Sequence, residues 1–387
     1  MAIARLRPRC PLFEPCGDRV LMTRFRDLIP IANHLPTGPL NGITDVPGVR
    51  VGHVTRNEGE GKLVPGRGPI RTGVTAVLPH SGNVFREKAP AAVYTINGYG
   101  KATGFEQIRD LGVIETPICL TNTLNVGKVW DAVVSYSIRE NPDIAIRTSN
   151  VSPVVGECND NFLNDGQGRH ISEADVLRAI DGASTSHVAE GCVGAGAGTL
   201  CYGFKGGIGT ASRLVIDGAY TVAALLQTNF GQRHELQMLG APIGQHVAED
   251  NSDSPPGSVM VVIATDAPLD ARQLERMAKR AAFGLGRTGT ICHSGSGDFV
   301  IAYSTCNRRV HGATELVSEA RAINEEAQFA GGLLIDQLFR AVVECVEESV
   351  YNALIAAQTT VGRDGNTLYA LPHEQLQDLM RHYRRMK

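Results

Sequence analysis

Pro255-Pro256-Gly257-Ser258 runs directly into Val259-Met260-Val261-Val262-Ile263-Ala264, so a hydroxyl stands where a Pro-rich loop gives way to an apolar, β-branched run. Such a run predicts a buried strand with Ser258 at its mouth. Cutting the Gly257–Ser258 bond would make Ser258 a terminal residue carrying both a hydroxyl and a free α-amine. An α-amine titrates at about 7.7 to 8.0, so at neutral pH a fraction is unprotonated and can take the hydroxyl proton. This would be N-terminal-nucleophile chemistry, with no separate histidine base. Gly and Ser at a loop-to-strand junction are also ordinary turn chemistry. Gly257 adds a mechanical expectation: it permits backbone conformations that other residues avoid, so the bond before Ser258 would be held strained for attack.

A second constellation follows at His293-Ser294-Gly295-Ser296-Gly297-Asp298, leading into Phe299-Val300-Ile301-Ala302-Tyr303. Two hydroxyls and a carboxylate on a Gly-rich turn at the start of a strand can orient an amine and a serine by hydrogen bonds. The plain alternative is a solvated hairpin turn.

Ser258 with its following strand and Ala264-Thr265-Asp266-Ala267-Pro268-Leu269, then Ser296 and Asp298 at 38 and 40 positions beyond Ser258, resemble the self-cleaving D-aminopeptidase/β-aminopeptidase family typified by DmpA. Asn41-Gly42-Ile43-Thr44-Asp45-Val46-Pro47-Gly48-Val49-Arg50-Val51-Gly52-His53, Arg71-Thr72-Gly73-Val74-Thr75 and Thr121-Asn122-Thr123-Leu124-Asn125-Val126-Gly127 match as well. So do Gly206-Gly207-Ile208-Gly209 and Thr228-Asn229-Phe230-Gly231, and the matches extend from Gly38 to Gly362. The resemblance implies an α/β fold, an αββα four-layer sandwich with two stacked sheets, of N-terminal-nucleophile type. It implies one catalytic domain, 36–387, cleaved at Gly257–Ser258 into an α-chain, 1–257, and a β-chain, 258–387. By the same resemblance Ser258 is the nucleophile, Ser296 and Asp298 support it and its amine, and Asn229 is the side-chain donor to the oxyanion. Glu157, in Val155-Gly156-Glu157-Cys158-Asn159-Asp160, takes the substrate's amino group, with Asn159 beside it in the substrate site.

Two departures from the family pattern bear on rate and substrate range. The carboxylate after the second serine is usually Glu, and Asp298 is one methylene shorter. A family tyrosine near the Glu157 motif has no counterpart here, where Asn159 and Phe162 stand. The implied activity is that of an autoprocessed serine aminopeptidase or amidase, removing the N-terminal residue of short peptides, amino-acid amides or esters through an acyl-enzyme. It needs no cofactor and no metal, and works as a homo-oligomer of processed units. The same fold also suggests acyl transfer of the ornithine-acetyltransferase type, although that family uses threonine as nucleophile. A homologue that binds without catalysis is the other alternative.

Further back from the site, the whole chain of 387 residues is 43% hydrophobic, enough for a large core, and no long Pro/Gly/Ser linker divides it. A net charge of −3 argues against a nucleic-acid partner. Nine cysteines, Cys10, Cys16, Cys119, Cys158, Cys192, Cys201, Cys292, Cys306 and Cys345, are scattered without any Cys-x-x-Cys pair, as expected of reduced thiols in the cytoplasm. His170, His187, His234 and His246 lack metal-ligand spacing. Residues 1–35 read as a disordered or variable extension, Arg-rich and Pro-interrupted with no signal-peptide core, and Met22 is an alternative start. No run of 18 apolar residues predicts a membrane span.

Short apolar segments such as Thr75-Ala76-Val77-Leu78 and Ile118-Cys119-Leu120, punctuated by glycine, predict strands. Asp270 and Gln273 form a capping-box pair ahead of Leu274, Met277, Ala278, Ala281, Ala282 and Leu285, whose spacing predicts an amphipathic helix. Its polar face, Arg272, Glu275, Arg276, Lys279 and Arg280, reads as solvated and not as a binding patch. Leu333 to Ala357 predicts a long, largely apolar helix. Gly284-x-Gly286-x-x-Gly289 fits a dinucleotide fingerprint formally, but follows a helix instead of a strand. Gly194-Ala195-Gly196-Ala197-Gly198 lacks the Gly-Lys-Ser/Thr of a P-loop, and Gly295-Ser296-Gly297 is only a fragment of a nucleophile elbow.

Overall fold

The computed structural model describes residues 23–32, 34–247, 257–314 and 322–386. Its principal strands are β1 (Arg50–Glu58), β2 (Ile70–Leu78), β3 (Glu87–Gly98), β4 (Ile118–Asn122), β5 (Val154–Cys158), β6 (Ile208–Val215), β7 (Tyr220–Asn229), β8 (Ser258–Thr265) and β9 (Gly297–Ser304). The packed helices are α1 (Val126–Glu140), α2 (Glu173–Asp181), α3 (Ala271–Arg287) and α4 (Leu334–Ile355). One sheet runs β1-β2-β4-β5, with its last pair parallel. The larger runs β3-β9-β8-β7-β6, and only β8 and β9 are parallel to each other.

Burial on both faces explains the unbroken apolar reading of β8. Val259, Val261 and Ile263 face α3 and α4, where they meet Leu274, Met277, Ala278, Val342 and Val346. Met260, Val262 and Ala264 point the other way, between the sheets, against Leu120, Val154 and Cys158. On the far side of the smaller sheet, Val74, Ala76, Cys119 and Val155 pack on Val129 and Val133 of α1 and on Val176 and Ala179 of α2. The layers are therefore helix, sheet, sheet, helix, the αββα sandwich that the resemblance implied. Each fully buried Val or Ile side chain contributes about 1.5–3 kcal/mol of transfer free energy. No helix among the described residues is long and apolar enough to cross a membrane.

The predicted helix after β8 forms as α3. The Asp270 carboxylate accepts from Gln273 N at 2.7 Å and the Gln273 side chain accepts from Asp270 N at 3.2 Å, which satisfies two donors at the helix start. Its polar face is less solvated than the sequence suggests. Arg276 pairs with Glu325 at 2.5 Å, and the Arg280 guanidinium lies 3.7 Å from the centre of the Phe339 ring.

The long helix is not simply apolar. Glu344, Glu347 and Glu348 of α4 are buried, and Arg213 of β6, wholly buried, bonds Glu344 Oε2 at 2.9 Å and Glu348 Oε2 at 2.6 Å. This cluster also corrects the expected extent of the N-terminal extension. Phe25 is fully buried, its N–H donates to Asn352 Oδ1 at 3.0 Å, and Arg26 grips Glu348 with two bonds of 2.7 Å. The packed chain thus begins well before residue 36. The rest of that expectation, residues 1–22, lies outside the described residues.

Candidate active site

Ser258 begins β8, 5% exposed, where the sequence placed the loop-to-strand junction. Its flanking strands decide what surrounds it. On one side the antiparallel register sets Asn229, the last residue of β7, opposite Ser258. Directly opposed residues share a face with Cβ atoms about 4.5–5.5 Å apart, so the amide of Asn229 stands beside the serine side chain. On the other side the parallel register sets Gly297, first residue of β9, beside Ser258, and Gly297 N–H donates to Ser258 Oγ at 3.2 Å.

Gly257 is glycine for a different reason from the one expected. Its φ is not left-handed. A Cβ there would instead lie 1.9 Å from Asn229 O and 2.5 Å from Phe230 Cα, a collision no side chain survives. The absent side chain lets the bond before Ser258 lie flat against the end of β7.

Asn229 is 1% exposed. Its Oδ1 accepts from Leu200 N at 3.1 Å, which turns the NH2 end away from Leu200, and Nδ2 is buried with no partner. A buried unmet donor costs about 1–3 kcal/mol, so its retention next to Ser258 suits a group that finds its acceptor only during a reaction.

Ser296 and Asp298 do meet: Ser296 Oγ donates to Asp298 Oδ1 at 2.5 Å, while Asp298 Oδ2 is buried and unpartnered. Burial raises the Asp298 pKa against the lowering effect of the Ser296 bond. Strand alternation puts Gly297 and Phe299 on the inter-sheet face with Ser258, and Asp298 with Val300 on the helix face. The carboxylate therefore approaches the main chain of β8 from the side opposite the serine hydroxyl.

Glu157 comes from the other sheet. It lies in β5, 2% exposed, and burial raises its pKa. Lys101 N donates to Oε1 at 3.0 Å, and Thr123 Oγ1 donates to Oε2. Gly100 joins this corner to β9: a Cβ there would be 3.0 Å from Gly297 Cα and 3.4 Å from Glu157 Oε1. The next residue, Cys158, bridges the sheets, its thiol 3.4 Å from both Ser258 O and Gln227 O. Burial raises its pKa well above the ordinary value, which keeps it a neutral thiol and not a competing nucleophile.

Asn159 is not drawn into this arrangement by any bond among the described residues; its Oδ1 accepts from Asn161 N at 2.8 Å. Phe162, the other substitute for the missing tyrosine, packs beside Leu163, Leu200 and Leu368. Three supporting groups carry no sequence signal of their own. Asn97 Nδ2 ties down the Gly-rich turn through His293 O at 3.2 Å, Ser294 O at 3.1 Å and Ser296 O. Leu200 N orients Asn229. Thr123 sits in a motif the resemblance singled out, but nothing in its spacing announced a bond to Glu157.

The chain that carries this buried serine also has close structural counterparts. The L-aminopeptidase D-Ala-esterase/amidase of Ochrobactrum anthropi, described as a prototype of the serine aminopeptidases and a variant of the Ntn hydrolase fold, superposes with a TM-score of 0.85 at 39% identity, covering 94% of this chain and 99% of that one. The PH0078 protein of Pyrococcus horikoshii OT3 also gives 0.85, at 48% identity over 92% of this chain and 97% of its own. Fold and site together define a serine aminopeptidase of the Ntn hydrolase class. The β-peptidyl aminopeptidase BapA of Sphingosinicella microcystinivorans is 42% identical over 382 residues, 94% of this chain and 93% of that protein. The signature of peptidase family S58 spans residues 41–368, and the chain belongs to that family of peptide hydrolases.

Proposed function

We propose that this aminopeptidase matures by scission of Gly257–Ser258 and then uses Ser258 as an N-terminal nucleophile on short peptides, amino-acid amides and esters. The observation that carries the proposal is the pairing of Ser258 with Asn229 across β7 and β8, with Asn229 Nδ2 buried and unpaired. The Ser258 hydroxyl attacks the scissile carbonyl while its own α-amine accepts the proton. Asn229 Nδ2 and backbone N–H groups hold the oxyanion, the amine or alcohol leaves with that proton, and water resolves the acyl-enzyme. Ser296 and Asp298 hold the new terminus. Glu157, ionised, pairs with the substrate ammonium and so limits cleavage to the first residue. The BapA relative is named a β-peptidyl aminopeptidase, which supports including β-aminoacyl amides in the substrate class.

The processed units assemble as a homo-oligomer in the cytoplasm, a location supported by the free thiols of the seven described cysteines. Intact-mass analysis of purified protein tests the maturation step. The native sequence yields fragments 1–257 and 258–387, and Ser258→Ala stays one chain; two fragments from the variant would refute the proposal.

A further inference from the structure

Behind Asn229 lies a charged side chain with no place in the mechanism above. Lys205 is wholly buried and has no carboxylate within ion-pair distance among the described residues. Its three N–H donors are all used, on Gly196 O at 2.9 Å, Thr199 O at 2.8 Å and Gly206 O at 2.8 Å. The Asp160 charge and the Cys192 side chain favour the ammonium but do not outweigh its burial, and an apolar residue would fill the same space without that cost. Burial accordingly lowers its pKa.

One of those carbonyls belongs to the peptide unit that orients Asn229. Thr199 O accepts from Lys205 Nζ, and the N–H of the same unit, Leu200 N, donates to Asn229 Oδ1 at 3.1 Å. Because Leu200 N–H can only donate, the carbonyl end of Asn229 must face it, and the NH2 end must face away, where it is unpaired beside Ser258. Two amides therefore stand in series between a buried cation and the atom that would meet the oxyanion. A cation on the first carbonyl polarises the first amide, which polarises the second, and each N–H in the chain becomes a stronger donor.

We propose that Lys205 is a positioning residue for transition-state stabilisation: through the Thr199–Leu200 peptide it fixes the orientation of the Asn229 amide and strengthens its free N–H as an oxyanion donor. This rests on the reading of Asn229 as that donor. The rival role is a staple for the Gly-rich segment 194–206, and the two roles separate in a double-mutant cycle.

The full chain is prepared as Lys205→Met, Lys205→Gln, Asn229→Ala and Lys205→Met/Asn229→Ala. Rates on an amino-acid anilide are expressed per nucleophile titrated with a serine-directed phosphonate. Lys205→Met is expected to lower kcat by about tenfold with KM changed less than about twofold, an effect confined to the transition state. In the Asn229→Ala background the same change is expected to alter kcat by less than about twofold, because the amide it acts on is gone. Lys205→Gln, which keeps two donors without the charge, falls between native and Lys205→Met. An undiminished loss in the Asn229→Ala background, or unchanged kcat in Lys205→Met, overturns the inference. So does failure of both Lys205 variants to fold while Asn229→Ala folds, since that outcome assigns the lysine to stability. If Asn229→Ala itself retains full kcat, the underlying reading of Asn229 falls, a result distinct from additivity in the cycle.

Discussion

Two corners of the site are built on opposite principles. At the end of the larger sheet, Asn229 Nδ2 and Asp298 Oδ2 are buried with nothing to bond. At the end of the smaller sheet both oxygens of Glu157 are already held, by Lys101 N and Thr123 Oγ1. Open valences beside Ser258 cost stability in the resting protein; in the proposed mechanism Asp298 is satisfied once the new terminus forms, and Asn229 Nδ2 only when charge appears in the reaction. In the proposed role of Glu157, a carboxylate that receives an ammonium is better fixed in advance, because its charge is needed before chemistry starts. On the function proposed above, the sheet carrying Ser258 thus serves the transition state, and the sheet facing it serves recognition.

Substitutions separate the two corners. Asn229→Ala should bring the largest graded loss, about 10²–10³ in kcat with KM little affected, as for removal of one oxyanion donor. Equal losses in binding and turnover would place Asn229 in recognition instead. Glu157→Gln should act the other way, lowering kcat/KM by about 10–100-fold, the worth of a hydrogen bond to a charged group, mainly through KM. Its pH dependence sharpens the contrast. Burial raises the Glu157 pKa above its ordinary 4.5, so the ionised form, and with it ammonium binding, is lost as pH falls through that raised value. Beyond the acid limb that protonation of the Ser258 α-amine gives both enzymes, the native enzyme should therefore show a further fall in kcat/KM at a pH above 4.5 that Glu157→Gln lacks.

A third cluster, away from both corners, calibrates them. Burial pushes the Glu348 pKa up, but the Arg26 bonds and the charges of Arg213 and Arg26 outweigh it and hold the group at about 2. Its folded pKa is lower than its unfolded one, so its stabilisation is complete above the ordinary 4.5 and is lost as pH falls toward 2. Glu348→Gln should cost about 3–5 kcal/mol in denaturant unfolding at neutral pH, as expected when a buried ion pair loses a partner. The gap to the native protein should close below pH 4.5, while kcat of the folded variant stays unchanged.

The legible parts of this molecule were those written locally. The β-branched run after Ser258, the capping pair Asp270 and Gln273, and the heptad-like spacing of α3 each state their structure within a few residues. The place of Ser258 at the strand start was readable for the same reason. What escaped depended on register between distant strands. No local pattern announces that Asn97 reaches back to the turn at 293–296, or that Leu200 N aims the amide of Asn229. The reading of α4 as a largely apolar helix passed over its buried glutamates, because their partners Arg213 and Arg26 lie far away in the chain. For Gly257 the sequence offered only backbone freedom, whereas the constraint the fold shows, the 1.9 Å approach of a Cβ to Asn229 O, exists only once β7 and β8 are paired.

The central claim, that the new terminus at 258 is the group that carries the acyl intermediate, is open to direct trapping. The processed protein is mixed with a slowly deacylating amino-acid ester, quenched in acid, and its fragments are weighed. The account predicts the acyl increment on fragment 258–387, released again with time and located on Ser258 by peptide mapping. An increment on fragment 1–257, or full hydrolysis by a chain still intact across Gly257–Ser258, would contradict it.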